Sequence, residues 1–414
     1  MSTLRENALE MHKKNRGKLG VYAKVSIQNE EDLSLAYSPG VAEPCIEIYA
    51  DENKTYDYTM KGNLVAVVSN GTAVLGLGNI GPKAAMPVME GKAILFKSFA
   101  DVDAFPICLN TTDTEKIIEV VKLLEPTFGG VNLEDIAAPQ CFEIEDRLRK
   151  ECKIPVFHDD QHGTAIVTAA GLLNALKLAN KKVDQISVVV NGAGAAGVAI
   201  VKLLLRMGVS DVILCDTRGI IYEGRPVGMN SFKEEMAYIT NKEKKRGDLA
   251  DALEGTDVFI GVSAAGAVTK EMLWSMNPNP IIFAMANPIP EIMPEVAKDA
   301  GALVVGTGRS DFPNQINNVL AFPGIFRGAL EVQAKEINEE MKLAAVYAIA
   351  ELIGEEDLHP DYVIPNPFDP RVAAYVAEAV AKAAMKTGVS QKKIDTEKMK
   401  NCLLSLTKKQ TVLL

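Results

Sequence analysis

A β-branched run, Ile186 to Val190, leads into Gly192-Ala-Gly194-Ala-Ala-Gly197, and a helix-like pattern follows from Ala195 to Met207. Few arrangements constrain a fold as tightly. The first glycine permits a sharp turn and the second lets backbone N–H groups approach a pyrophosphate. The third allows the helix to pack closely on the strand, and the helix N-terminus attracts the phosphate charge. Asp216 closes the next strand-like run, 19 residues after Gly197, where an acid can accept from a ribose hydroxyl. Gly192, Gly194, Ala195, Ala196, Gly197, Asp216 and Arg218 are therefore the expected dinucleotide-binding residues. Asp216 favours NAD. Arg218 and Arg225 leave room for the 2′-phosphate of NADP, so both cofactors stay open.

Further strands are expected at Asp211–Cys215, Val258–Val262, Ile281–Ala286 and Leu303–Val305. Helix-like segments separate them, which argues for a parallel sheet with crossover helices. Long helices are expected over 328–353 and 370–387. A chain of 414 residues is too long for one ordinary core. The α/β reading has two parts: an N-terminal α/β substrate and metal domain over 1–162, then a Rossmann-type doubly wound parallel-sheet domain over 163–414. Thr164–Leu178 would be the connecting helix. Within the first part, Leu64–Val68, Asn70-Gly71 and Ala73–Leu75 read as a β-hairpin. Residues 114–124 have helical spacing, and Ser38-Pro39-Gly40 reads as a turn.

The net charge of −10 argues against a nucleic-acid partner. No apolar run approaches the length of a membrane span, and Met1–Lys18 lacks the apolar core of a secretory signal. Six cysteines without a close pair suit a reduced, cytoplasmic protein.

Residues 158–164, His-Asp-Asp-Gln-His-Gly-Thr, put two carboxylates and two imidazoles into five positions. A second acidic pair, Glu134-Asp135, lies among apolar neighbours. Such clusters are costly unless something bridges the charges, and a hard divalent cation is the simplest bridge. Glu134, Asp135 and Asp160 (or Asp159) form an all-oxygen set suited to Mg²⁺ or Mn²⁺. His158 and His162 imitate the spacing of a zinc protease, but Gly163 would weaken the helix that motif needs. Orienting the carboxylates is the better role for the imidazoles. A second glycine match, Gly76-Leu-Gly78-Asn-Ile-Gly81, follows no βαβ unit. It reads as backbone shaping near substrate or as a structural turn.

Taken together, the chain resembles a malic enzyme of the short bacterial type from about residue 10 to 390. The resemblance is carried by Leu35-Ala-Tyr-Ser-Pro-Gly-Val41, Gly76–Gly81, Met89-Glu-Gly-Lys92, Asn132-Leu-Glu-Asp-Ile136, His158–Thr164, Ala286-Asn-Pro288 and Asn317-Asn318 before Phe322-Pro-Gly324. It implies oxidative decarboxylation of L-malate to pyruvate and CO₂ with NAD or NADP and Mg²⁺ or Mn²⁺, with oxaloacetate decarboxylation as a companion activity. Tyr37 would be the general acid and Lys92 the general base. Glu134, Asp135 and Asp160 would hold the metal, with Asp159 beside them and paired to Lys92. Asn287 and Asn318 would contact the substrate carboxylates, with Asn317 adjacent. A homodimer is also implied, and no acyltransferase-like extension is expected after residue 414. One departure stands out: larger members carry an arginine where this chain has Ala73, which leaves Arg309 as a stand-in for the second carboxylate. An amino-acid dehydrogenase would not need the three-carboxylate site. A non-catalytic nucleotide sensor would not need the acid and base.

Overall fold

The computed structural model describes residues 3–74 and 76–412. Its first sheet has four parallel strands in the order β2-β1-β3-β4: β1 (Leu64–Ser69), β2 (Asp103–Cys108), β3 (Gly130–Leu133) and β4 (Val156–His158). All six residues of β1 are buried, as expected for a strand covered on both faces. This overturns the hairpin reading. The uninterrupted apolar run Leu64–Val68 signals a central parallel strand rather than half of a hairpin. After Asn70-Gly71 the chain does not turn back along β1. Thr72 and Ala73 instead donate their backbone N–H groups to Asp135 O. Leu75, the last residue of that reading, lies outside the described residues.

The second sheet runs β10-β9-β8-β5-β6-β7, with β5 (Ser187–Asn191), β6 (Asp211–Asp216), β7 (Gly219–Ile220), β8 (Val258–Gly261), β9 (Ile281–Ala284) and β10 (Val304–Thr307). Every pairing is parallel except β6 with β7. Strand order reverses between β5 and β8, which opens a crevice beyond their C-terminal ends. Helix Thr164–Ala179 leads from the first sheet to the second, and twelve of its sixteen residues are buried. Helices Thr114–Leu124 and Val372–Thr387 fall where the spacing puts them. The expected helix over 328–353 is two helices, Phe322–Glu331 and Glu339–Ala350. Gln333 takes a left-handed φ of 49°, and the Asn338 side chain caps the second helix by accepting from Met341 N. That capping asparagine is a helix-start signal inside the apparent run.

The N-terminal segment behaves differently. Helices Leu4–Asn15, Glu30–Ala36 and Ala42–Ala50 contain no buried residue. Among the described residues, sixteen of the twenty-seven exposed large apolar side chains lie between Leu4 and Met60. No helix among those residues is long and apolar enough to cross a membrane. All six cysteines are free thiols.

Candidate active site

The acidic pairs sit just past the C-terminal ends of β3 and β4, adjacent parallel strands, so the fold delivers them to one place. Ligand atoms of Glu134, Asp135 and Asp160 lie within 4.8 Å of one another. Glu134 and Asp135 are 4% and 3% exposed. Asp160 Oδ2 accepts from Asp135 N at 2.7 Å, and Asn132 Nδ2 donates to Glu134 Oε2 at 2.9 Å. Asp135 adopts a left-handed φ of 54°. Its Oδ2 is buried without a partner, as is Asn132 Oδ1. An orphaned oxygen within a cluster of buried acids is what a hard cation would satisfy, so the donor set fits Mg²⁺ or Mn²⁺.

Lys92 meets this cluster from helix Gly81–Ala100, on whose buried face it lies. Its Nζ reaches Asp159 Oδ2 at 2.5 Å and Glu134 Oε1 at 2.9 Å, and stands 4.3 Å from the centre of the Phe322 ring. Asp159 is fully buried and also accepts from Asn318 Nδ2. Burial alone would lower the Lys92 pKa. Asp159 and Glu134 outweigh it and hold the ammonium above its ordinary value. The carboxylates move the other way. Burial, opposed by Lys92 and aided by Glu134, raises Asp159 to about 7. Asp135 and Asp160 are raised by burial together with their like-charged neighbours.

Other expected residues fall in varied places. Asn318 joins the cluster. Asn317 instead spends its Oδ1 on Val319 N, capping a short turn. Asn287 is exposed on the loop after β9. There Gly76, with φ of 73°, would bring a Cβ within 2.7 Å of Asn287 O, which puts the second glycine loop against the Asn287 loop. Tyr37 ends helix Glu30–Ala36, is 68% exposed, and takes no part in the hydrogen bonds or ion pairs described for the cluster. Arg309 is held bidentately by Asp311 and donates to Pro288 O, so its guanidinium is already engaged.

The dinucleotide loop has the expected shape. Gly192 has φ of 122°, and a Cβ on Gly197 would stand 1.7 Å from Gly192 O. Ala195 and Ala196 open helix Ala195–Arg206. The loop borders a cavity of about 770 Å³ that Asp216, Arg218, Lys233 and Ser263 also line. Asp216 does not present free oxygens there. Oδ1 accepts from Arg218 N and Arg225 Nη1, both at 2.9 Å, while Oδ2 accepts from Arg225 Nη2 at 2.5 Å and Lys233 Nζ at 2.6 Å. Burial works against this carboxylate, but the two cations hold its pKa well below the usual range.

Sequence reasoning missed three participants: Lys233, Lys342 and Glu145. Glu145 accepts from His158 N at 3.1 Å and pairs with His162 Nε2 at 2.8 Å. Burial opposes its charge, yet His162 and Lys342 hold it at about 2. A signal was available. Glu145 falls on the stripe Cys141, Ile144 and Leu148, where an acid on a buried helix face needs a reason.

The malic enzyme N-terminal domain matches residues 14–149, and the malic enzyme NAD binding domain matches residues 161–385. A bifunctional malic/malolactic enzyme of Bacillus subtilis (strain 168) is 69% identical over 98% of this chain and 99% of its own length. An NAD-dependent malic enzyme of Geobacillus stearothermophilus is 57% identical over 91% of this chain and 78% of its own. The crystal structure of the malic enzyme from Pyrococcus horikoshii Ot3 superimposes with a TM-score of 0.94 at 49% identity, covering 98% of this chain and 96% of that one. The oxygen-only acidic cluster, the buried lysine and the dinucleotide crevice thus stand in a chain that belongs to the malic enzyme family.

Proposed function

We propose that this chain oxidatively decarboxylates L-malate to pyruvate and CO₂, with Lys92 as base and Glu134, Asp135 and Asp160 as cation ligands. The carrying observation is one buried lysine facing four carboxylates at the ends of two adjacent parallel strands. Residues 1–162 would supply metal ligands and base, and residues 163–414 the cofactor site together with Asn287 and Asn318. A divalent cation held by Glu134, Asp135 and Asp160 would acidify and polarise the substrate hydroxyl, and NAD(P)⁺ held at the Gly192 loop would supply the hydride acceptor. Lys92 can take a proton only from its neutral form. Neutralising Glu134, Asp135 and Asp160 removes part of the field that keeps it charged and lets burial lower its pKa. Asp159, aimed at Nζ, then orients the amine and retains the proton nearby. Asn318 stands beside Asp159, where an amide can direct a substrate carboxylate.

Tyr37 belongs to the uncovered N-terminal segment. A homodimer that buries this segment would remove its apolar surface from water, and Tyr37 would protonate the enol in that assembly. The reaction and the free thiols suit a cytoplasmic setting.

Cofactor preference follows from Asp216. Its oxygens are already occupied by Arg225, Lys233 and Arg218 N, so it is poorly placed to accept from a ribose. Lys233 and the exposed Arg218 line the same cavity and favour a 2′-phosphate, which makes NADP⁺ the preferred oxidant. Lys233→Ala should lower kcat/KM for NADP⁺ by about tenfold or more while sparing NAD⁺. Equal losses with both cofactors would refute this preference. The 69% identity to a bifunctional relative favours a second reading, in which pyruvate is further reduced to lactate by retained cofactor. Lactate formed from malate without net cofactor reduction would establish it.

The deciding assay follows reduced-cofactor absorbance and pyruvate with L-malate, Mn²⁺ and each cofactor, against a chelator control. Metal-dependent turnover should fall about 10²–10⁴-fold in Lys92→Ala. Cofactor binding without turnover under every condition would count for a sensor instead.

A further inference from the structure

We propose that Glu145 is a positioning residue for the metal ligands, and that Lys342 steadies it through His162 from the far side of the domain boundary. The proposal rests on Glu134, Asp135 and Asp160 being the ligand set. Residues Asp159–Gly163 form one π-helical turn, a geometry that needs outside support to persist. Glu145, 5% exposed on helix Gln140–Glu151, supplies that support at both ends. It accepts from His158 N immediately before the turn and meets His162 Nε2 near its close. Between those two ties, Asp159 faces Lys92 and Asp160 faces Asp135 N.

The support continues into the second domain. Lys342 Nζ, on helix Glu339–Ala350, lies 3.0 Å from His162 Nδ1 and 3.3 Å from its Nε2, and donates to Glu339 Oε1 at 2.8 Å. The ammonium packs against the imidazole whose Nε2 pairs with Glu145, and so limits how that ring can move. These contacts run unbroken from Glu339 to His158 N. Helix Gln140–Glu151 also begins only a few residues beyond Glu134 and Asp135, so Glu145 ties together the two segments that bear ligands. A cavity of about 800 Å³ between the domains is lined by Glu145, Gln161, His162 and Lys342, which gives small solutes a route to this carboxylate.

The test titrates Mn²⁺ alone into the full chain and reads free ion by electron paramagnetic resonance, without substrate or turnover. Glu145→Gln should raise the Mn²⁺ Kd by about 10–100-fold, while calorimetric NADP⁺ affinity and circular dichroism match the parent. Lys342→Met should weaken Mn²⁺ binding in the same direction by a smaller factor. Formate should restore Mn²⁺ binding to Glu145→Ala, and chloride should not. Parent-like Mn²⁺ affinity in Glu145→Gln overturns the proposal. So does a joint fall of Mn²⁺ affinity, NADP⁺ affinity and Tm, which marks a merely structural role. If Glu145→Gln does not fold, unchanged affinity in Lys342→Met overturns it instead. A parent protein that binds no Mn²⁺ overturns the ligand assignment, and this proposal with it.

Discussion

Asp159 titrates near neutrality because burial and its acidic neighbour outweigh the help it receives from Lys92 and Asn318. Its folded pKa is raised above the ordinary 3.8 to about 7, so its contribution to stability is present below 3.8 and lost as pH rises through about 7. His158 works oppositely: burial lowers it to about 4, so its contribution is present above its ordinary value of 6.5 and lost as pH falls through about 4. Above pH 6.5 the acid dominates this pair. Chelator-treated protein should therefore melt at a lower temperature near pH 8 than near pH 6.5, and saturating Mn²⁺ should reduce that difference. Calorimetry at the two pH values checks the sign. A metal-free Tm that rises over this interval would contradict the arrangement of Lys92 and Asp159.

Gly163 closes the π-helical turn, and what it needs is space rather than unusual dihedrals. A Cβ there would stand 2.0 Å from Asp159 Oδ1 and 3.1 Å from Asn318 Cβ. Gly163→Ala should displace Asp159 and lower kcat/KM by about 10²-fold or more. Its stability cost should stay near 1–3 kcal/mol, because the surrounding strands and helices do not depend on this contact. Steady-state kinetics beside a urea melt separates the two. At this scale the sequence was informative where a signal was local. The strand–glycine–helix unit and the carboxylate pairs could be located because their meaning lies in adjacent residues. The hairpin reading failed because Asn70-Gly71 is a local turn signal, whereas β1 is decided by β2 and β3 pairing on either side. The break after Glu331 was legible in Asn338. Asp216 could be located at the end of its strand, but the occupation of its oxygens depends on Lys233, seventeen residues away.

Across the whole molecule, the N-terminal sixty residues have an unusual exposure for a folded chain. Tyr49 is 93% exposed and Val21 88%, on a segment without a buried helix face. Burying such side chains contributes about 1.5–3 kcal/mol for each large apolar residue fully covered. A second copy is therefore the expected cover, and activity should fall on dilution as the dimer separates. Tyr49→Glu should shift the protein toward monomer in light scattering with the two sheets intact. A parent chain that stays monomeric and fully active at high concentration would exclude the dimer. The acidic cluster around Lys92 carries a further consequence, in folding time rather than space. Lys92 and Asp159 are 67 residues apart in sequence, and Asn318 and Asp159 are 159 apart. Contacts with such long loops are slow to close, so sheets and helices can be in place while the centre is still unassembled. A newly made chain would thus resemble the finished enzyme before it could bind metal, and regain of activity should trail regain of secondary structure.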